Sequence, residues 1–240
     1  ADDGIETLRG IIPPEDLARA RINVTTLGDL LLTAADRHPD SLALVFPDRA
    51  LTYRQLVDGA MRRARALQAL GVRPRDHVGL LMHTCAEFVE TFFAIAFCGG
   101  VIVPINARYK SNELAYVIEN GDIVTVVTTD AVADSVNFVE RLNGAFKDLP
   151  RSRDSRNLKV AGAPKLRNIV LLGRTRAKGY LTEADFDAAA KAGSELDIHR
   201  ARLCVRVRDV ALMLYTSGTT ANPKGCLITQ RQVGQPTSSF

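Results

Sequence analysis

The chain reads as an α/β protein: layered βαβαβ sheets with packed helices. Two observations carry that. Short β-branched apolar runs alternate with stretches of helical period along the whole sequence, the pattern of parallel strands joined by crossover helices. Length and composition agree: 240 residues, 46% hydrophobic and 24% charged, are those of an ordinary globular protein with one or two domains and a sizeable core.

Residues 1–24 read as an irregular leader, because Pro13-Pro14 breaks any helix. Thr26 has the chemistry of an N-cap for a helix over 26–38, with Leu27, Leu30, Leu31 and Ala34 on one face. Residues 42–46 and 50–53 read as two short strands about the turn at Pro47-Asp48-Arg49. A helix follows over 54–70. Leu56, Ala60, Ala64, Leu67 and Leu70 form its buried stripe, Arg62, Arg63 and Arg65 its wet face, and Gly71 its cap. Further elements are expected as a strand at 78–82, a helix at 86–97, a strand at 101–105, a helix from Ser111 to Gly121, a strand at 123–128 and a helix at 132–146. Residues 150–164 carry Arg151, Arg153, Arg156 and Lys159 with little apolar content. They read as a flexible, exposed basic loop. A strand at 166–172, a helix at 182–191 capped by Thr182, and a buried strand at 210–215 complete the pattern.

Composition excludes several classes. The net charge of +4 is scattered and not interleaved with aromatics, so no nucleic-acid partner is expected. Cys85, Cys98, Cys204 and Cys226 are far apart in sequence and contain no CxxC pair. They read as free thiols rather than a zinc site or disulfide framework, which suits the cytoplasm. His38, His77, His83 and His199 show no metal-ligand spacing. The long uncharged run 91–107 is broken by Gly99-Gly100 and Pro104, so no transmembrane segment is expected.

One stretch organises the rest. After the apolar run at 210–215 come Thr216, Ser217, Gly218, Thr219, Thr220, Ala221, Asn222, Pro223, Lys224 and Gly225. Backbone N–H groups and hydroxyls in a loop with few bulky side chains surround phosphate well. Gly218 permits close approach, Pro223 stiffens the loop, and Lys224 adds a point positive charge. The spacing is not that of a Walker A loop, and Cys226 to Thr229 read as a strand rather than a helix start. The loop is therefore expected to join two strands.

Tyr-Thr-Ser-Gly-Thr-Thr-x-x-Pro-Lys-Gly at 215–225 resembles the phosphate-binding signature of the adenylate-forming enzymes: acyl-CoA synthetases, firefly luciferase and peptide-synthetase adenylation domains. Residues 99–106, a glycine pair and apolar strand ending in Pro and Asn, resemble a second block of that family. Two positions depart from it. Ala221 stands where the family usually has Gly, and Gln230 where it usually has His.

The resemblance implies that residues 1–240 are an incomplete large N-terminal domain. It implies an ATP-dependent acid–thiol ligase that activates a carboxylic acid, fatty or otherwise apolar, as acyl-adenylate and passes it to coenzyme A. In that reading Thr216 contributes to Mg2+, and Ser217, Gly218, Thr219 and Thr220 cradle the ATP phosphates. Ala221, Asn222 and Pro223 complete the loop, and Lys224 neutralises a phosphate. Residues for adenine, ribose and catalysis are expected downstream of Phe240, so the chain alone is expected to be inactive. An exposed apolar edge is expected to drive self-association or association with the missing half. A fatty acyl-AMP ligase or a peptide-synthetase adenylation domain remains open, as does a non-catalytic nucleotide-binding or interaction protein.

Overall fold

The computed structural model describes residues 12–21, 26–132, 134–216 and 222–234. A 3-10 turn at Pro14–Asp16 leads to α1 (Leu27–Arg37). Thr26 accepts a hydrogen bond from the Asp29 N–H at 3.3 Å, the expected N-cap. A two-stranded antiparallel ribbon follows, β1 (Leu42–Val45) and β2 (Ala50–Thr52). Next come α2 (Tyr53–Ala69), β3 (His77–Leu81), α3 (Ala86–Phe97), β4 (Val101–Pro104), α4 (Ser111–Asn120), β5 (Ile123–Thr129), α5 (Phe138–Ala145) and β6 (Asn168–Leu172). The chain continues through β7 (Leu181–Thr182), α6 (Glu183–Ala192), α7 (Glu195–Leu203), β8 (Val210–Thr216), β9 (Lys224–Thr229) and the short α8 (Gln230–Gly234).

The second sheet has seven strands in the order β7-β6-β5-β3-β4-β8-β9. All neighbours are parallel except β8 and β9. Strand side chains alternate between two faces, and each face has its own core. Val78, Leu80, Ile102, Val127, Val170 and Ala211 pack under α1, α2, α3, α6 and α7. Val101, Val103, Val126, Ile169, Leu171 and Met213 pack under α4 and α5. Helices on both faces of a mostly parallel sheet are the expected α/β layering, and every residue of β5 is buried.

Several expectations need correction. Arg63 does not lie on a wet face. It is buried on α2, where its Nε donates to Glu90 Oε2 at 2.9 Å, and Arg49 Nη2 reaches the other Glu90 oxygen at 3.0 Å. The helix expected over 132–146 starts only at Phe138, capped by Asn137. Gly121 does end α4 as expected, with negative φ, and the left-handed turn falls on Asp122 (φ 49°). Residues 150–164 are not an apolar-poor loop throughout. The charged side chains are exposed, but Leu158, Val160 and Ala163 are buried in the α4–α5 core, and Leu158 N–H donates to Arg167 C=O at 2.7 Å. Periodicity misses such an anchor because three apolar residues in a charged stretch are too few to set a helical or strand repeat.

Candidate functional site

β8 and β9 form an antiparallel hairpin in register from Leu212↔Ile228 to Thr216↔Lys224, with a register shift between Val210 and Leu212. The two strands expected on either side of the signature are therefore present, and it is a strand, not a helix, that follows at Lys224. Thr216 and Lys224 are the last paired residues on either side of the connection, and both are exposed. Thr216 Oγ1 lies 3.5 Å from the Lys224 carbonyl. Asn222 is exposed and Pro223 buried, so proline packs the returning leg while its neighbours face solvent. Ser217, Gly218, Thr219, Thr220 and Ala221 lie outside the described residues. β8 itself is not wholly buried as expected: Ala211 and Met213 face the core, while Leu214 is exposed.

Two contacts hold the hairpin to the domain. Tyr215 turns onto the α4 side and donates its hydroxyl to Asn120 Oδ1 at 2.8 Å. Burial, helped by Tyr116, Asp122 and Tyr109, pushes the phenol up to about 12, so it stays protonated and donates. The Tyr215 ring also lies over Gly225, where an added Cβ would meet Cζ at 3.3 Å. At the far end, Gln230 is buried and its Oε1 accepts the Leu27 N–H at 3.0 Å, one of the orphan donors at the start of α1. The position that departs from the family signature is thus a tether between β9 and α1. Sequence reasoning could see that Gln keeps hydrogen-bonding capacity; its partner lies 203 residues away and has no local signal.

Further observations bear on the site. Asn106, at the end of β4, accepts the Arg108 N–H at 2.9 Å and acts as a turn cap. The four cysteines are free thiols. Among the described residues no cluster of three His, Cys, Asp or Glu is placed to hold a metal ion.

Sequence reasoning missed α7 and its Arg202. The helix is charged, so its apolar periodicity is weak; the cue was Ser194, which caps Asp197 N–H at 3.4 Å. Arg202 is almost wholly buried. It donates to Asp29 Oδ1 at 2.7 Å, to the carbonyls of Leu17, Ala18 and Ala20, and to His199 Nδ1 at 3.0 Å. It pins the segment before α1 and the start of α1, to which Gln230 also attaches.

The fold and the hairpin together define an adenylate-forming class of protein. The family model for AMP-binding enzymes matches residues 31–240, and the chain belongs to that family. It is 33% identical over 204 residues to a medium/long-chain-fatty-acid–CoA/3-oxocholest-4-en-26-oate–CoA ligase of Mycobacterium tuberculosis (strain ATCC 25618 / H37Rv), covering 84% of this chain and 33% of that protein. It is 29% identical over 214 residues to phosphinothricin tripeptide synthetase PhsC of Streptomyces viridochromogenes, covering 89% of this chain and 16% of that one. Among solved structures, the anthranilate CoA ligase AuaEII in complex with anthranoyl-AMP aligns with a TM-score of 0.64 at 25% identity, over 92% of this chain and 37% of that chain. The chain thus spans well under half the length of the relatives it matches.

Proposed function

We propose that the protein carrying this chain is an ATP-dependent acid–thiol ligase of the acyl-CoA synthetase type. Family membership and relatives named as CoA ligases support the reading. The single observation that carries it is the hairpin, which pairs Thr216 with Lys224, both exposed, on either side of the Ser/Thr/Gly-rich signature. In the proposed reaction the acid's carboxylate attacks the α-phosphorus of ATP and pyrophosphate leaves. The thiol of coenzyme A then takes the acyl group and AMP leaves.

The residues present fit a role at the leaving pyrophosphate. Lys224 supplies a compact cation, and the signature before it is rich in hydroxyl residues with a glycine among them. Positioning and charge stabilisation of this kind are the usual protein contribution to phosphate chemistry. Mg2+ is held in such sites by one or two protein oxygens together with substrate phosphates and water. The Thr216 hydroxyl fits that need, and the absence of a carboxylate cage among the described residues does not conflict with it. When bound, the ion would neutralise phosphate charge. Tyr215 and Gln230 act through the backbone: they hold the two ends of the hairpin, so Thr216 and Lys224 keep their relative placement.

The test is acid-dependent ATP–pyrophosphate exchange, followed by CoA consumption, in the protein that carries this chain, with a panel of acids. Exchange that ignores the acid refutes the ligase reading. Exchange without CoA turnover favours the adenylation-only alternative, for which the peptide-synthetase match speaks. Residues 1–240 alone are expected to show no acyl-CoA formation above a Lys224→Ala background.

A further inference from the structure

The structure gathers the chain's excess positive charge on one surface. Of the 31 Lys and Arg, eight fall in residues 147–159 and 174–178, with only two of the 27 Asp and Glu. The remainder of the chain therefore holds slightly more acidic than basic residues. Arg151, Arg153, Arg156, Arg174, Arg176 and Lys178 are all exposed, as are the flanking Lys147 and Lys159.

Two segments distant in sequence make this one surface. Tyr180 donates its hydroxyl to Asn143 Oδ1 at 3.0 Å and to the Val139 carbonyl, which lays the second segment along α5. Gly179 (φ +88°) packs directly on the Leu149 carbonyl. Asp185 lies in the field of both Arg156 and Arg176. Of the acids nearby, Asp154 accepts the Arg156 N–H, Glu183 the Gly173 N–H, and Asp130 the Arg174 and Thr175 N–H groups, while Asp148 stands exposed among the cations. Asp185 caps α6 through Thr182. Among the described residues none of the six named cations closes an ion pair with a carboxylate. The patch lies beside β7, at the sheet edge opposite β8–β9, about 29 Å away across the strands at ~4.8 Å each. It is not part of the phosphate hairpin.

We propose that this patch docks the protein on an anionic phospholipid surface. The choice of partner follows from what the patch lacks. No aromatic residue occurs between Lys147 and Gly179, so there is no platform for stacking single-stranded bases. None of the large exposed hydrophobic side chains lies there, so there is no apolar anchor for a protein interface core. Association with acidic lipid needs neither, only several Lys and Arg within a Debye length of the headgroups. The proposal does not depend on the reaction assigned above.

The test is cosedimentation of the protein that carries this chain with vesicles of phosphatidylcholine alone, or with about one third phosphatidylserine, at about 0.1 M salt. Binding is expected only to the acidic vesicles, with steep loss as salt rises to about 0.5 M. Each basic residue at such a surface changes partitioning about five-fold. Arg151→Glu/Arg153→Glu/Arg156→Glu and Arg174→Glu/Arg176→Glu/Lys178→Glu are each expected to lower it at least about a hundred-fold. Arg62→Glu/Lys191→Glu/Arg206→Glu, an equal charge change at exposed positions elsewhere, is expected to lower it far less. Equal loss in that control, equal binding to both vesicles, or tighter binding to a single-stranded RNA at the same salt overturns the proposal. Should a triple variant fail to fold, the salt and lipid dependence of the wild-type chain decides.

Discussion

Replacing Arg202 by Met removes a buried cation while keeping a side chain of similar length. The guanidinium is 1% exposed and makes five hydrogen bonds, including the 2.7 Å pair with Asp29, itself 2% exposed. Burial pulls Arg202 down to about 10 against the pull of Asp29, so it is charged at neutral pH. Breaking such a pair from one side takes the guanidinium away from a buried carboxylate, at a cost of about 3–5 kcal/mol. A domain's whole stability is about 5–15 kcal/mol, so the loss is a third or more in a typical case. At this chain length about 2–4 °C of Tm accompany each kcal/mol, which predicts a drop of about 6–20 °C. The assay is urea unfolding of wild type, Arg202→Met, Asp29→Leu and the double variant. The double variant is expected to recover much of the single losses, because both desolvation penalties vanish together. Trypsin should also cut faster at Arg19 and Arg21 in Arg202→Met, since that segment loses its carbonyl contacts. A Met variant within about 1 kcal/mol of wild type, or a double variant worse than the two singles combined, refutes the reasoning.

Burial and the Arg202 charge hold His199 down to about 4. The unfolded state then binds the extra proton, so stability is full above about pH 6.5 and falls as pH drops toward 4, by about 3 kcal/mol in all. His199→Gln, which keeps an acceptor for Arg202, should flatten that window in pH-dependent melts; an unchanged slope counts against the assignment. Lys224→Ala should raise the KM for ATP in pyrophosphate exchange about 10- to 150-fold with little change for the acid, the loss of a charged hydrogen bond worth ~1.5–3 kcal/mol. Unchanged ATP kinetics would remove Lys224 from the site. Gly173→Ala should destabilise by ~1–3 kcal/mol or more, because φ is +116° and an added Cβ would strike the Asp130 carboxylate that caps the turn. A neutral result in denaturant unfolding would contradict that geometry.

Local chemistry determined most of the architecture. β5 is a run of Val, Ile and Thr, α2 starts with a Thr52–Gln55 capping box, and Gly71 at φ +90° stops the chain after α2. Each of these acts over one or two turns of chain, so the sequence by itself fixes them. The two strands flanking the phosphate signature were legible for the same reason: the apolar runs and the glycines, hydroxyls, proline and lysine between them are contiguous in sequence. What acts across distance was not. Arg63 sits among other arginines on its helix, and the Glu90 carboxylate, from α3, makes its burial tolerable. Arg202 lies in a helix of weak periodicity and is buried because carbonyls from residues 17–20 and the Asp29 carboxylate converge on it. Gln230 and Tyr215 find partners 203 and 95 residues away. Hydrogen-bonding capacity is a property of a residue type and is visible in sequence, whereas its partner is set by which strands and helices pack together, and that is decided only when the sheet order forms.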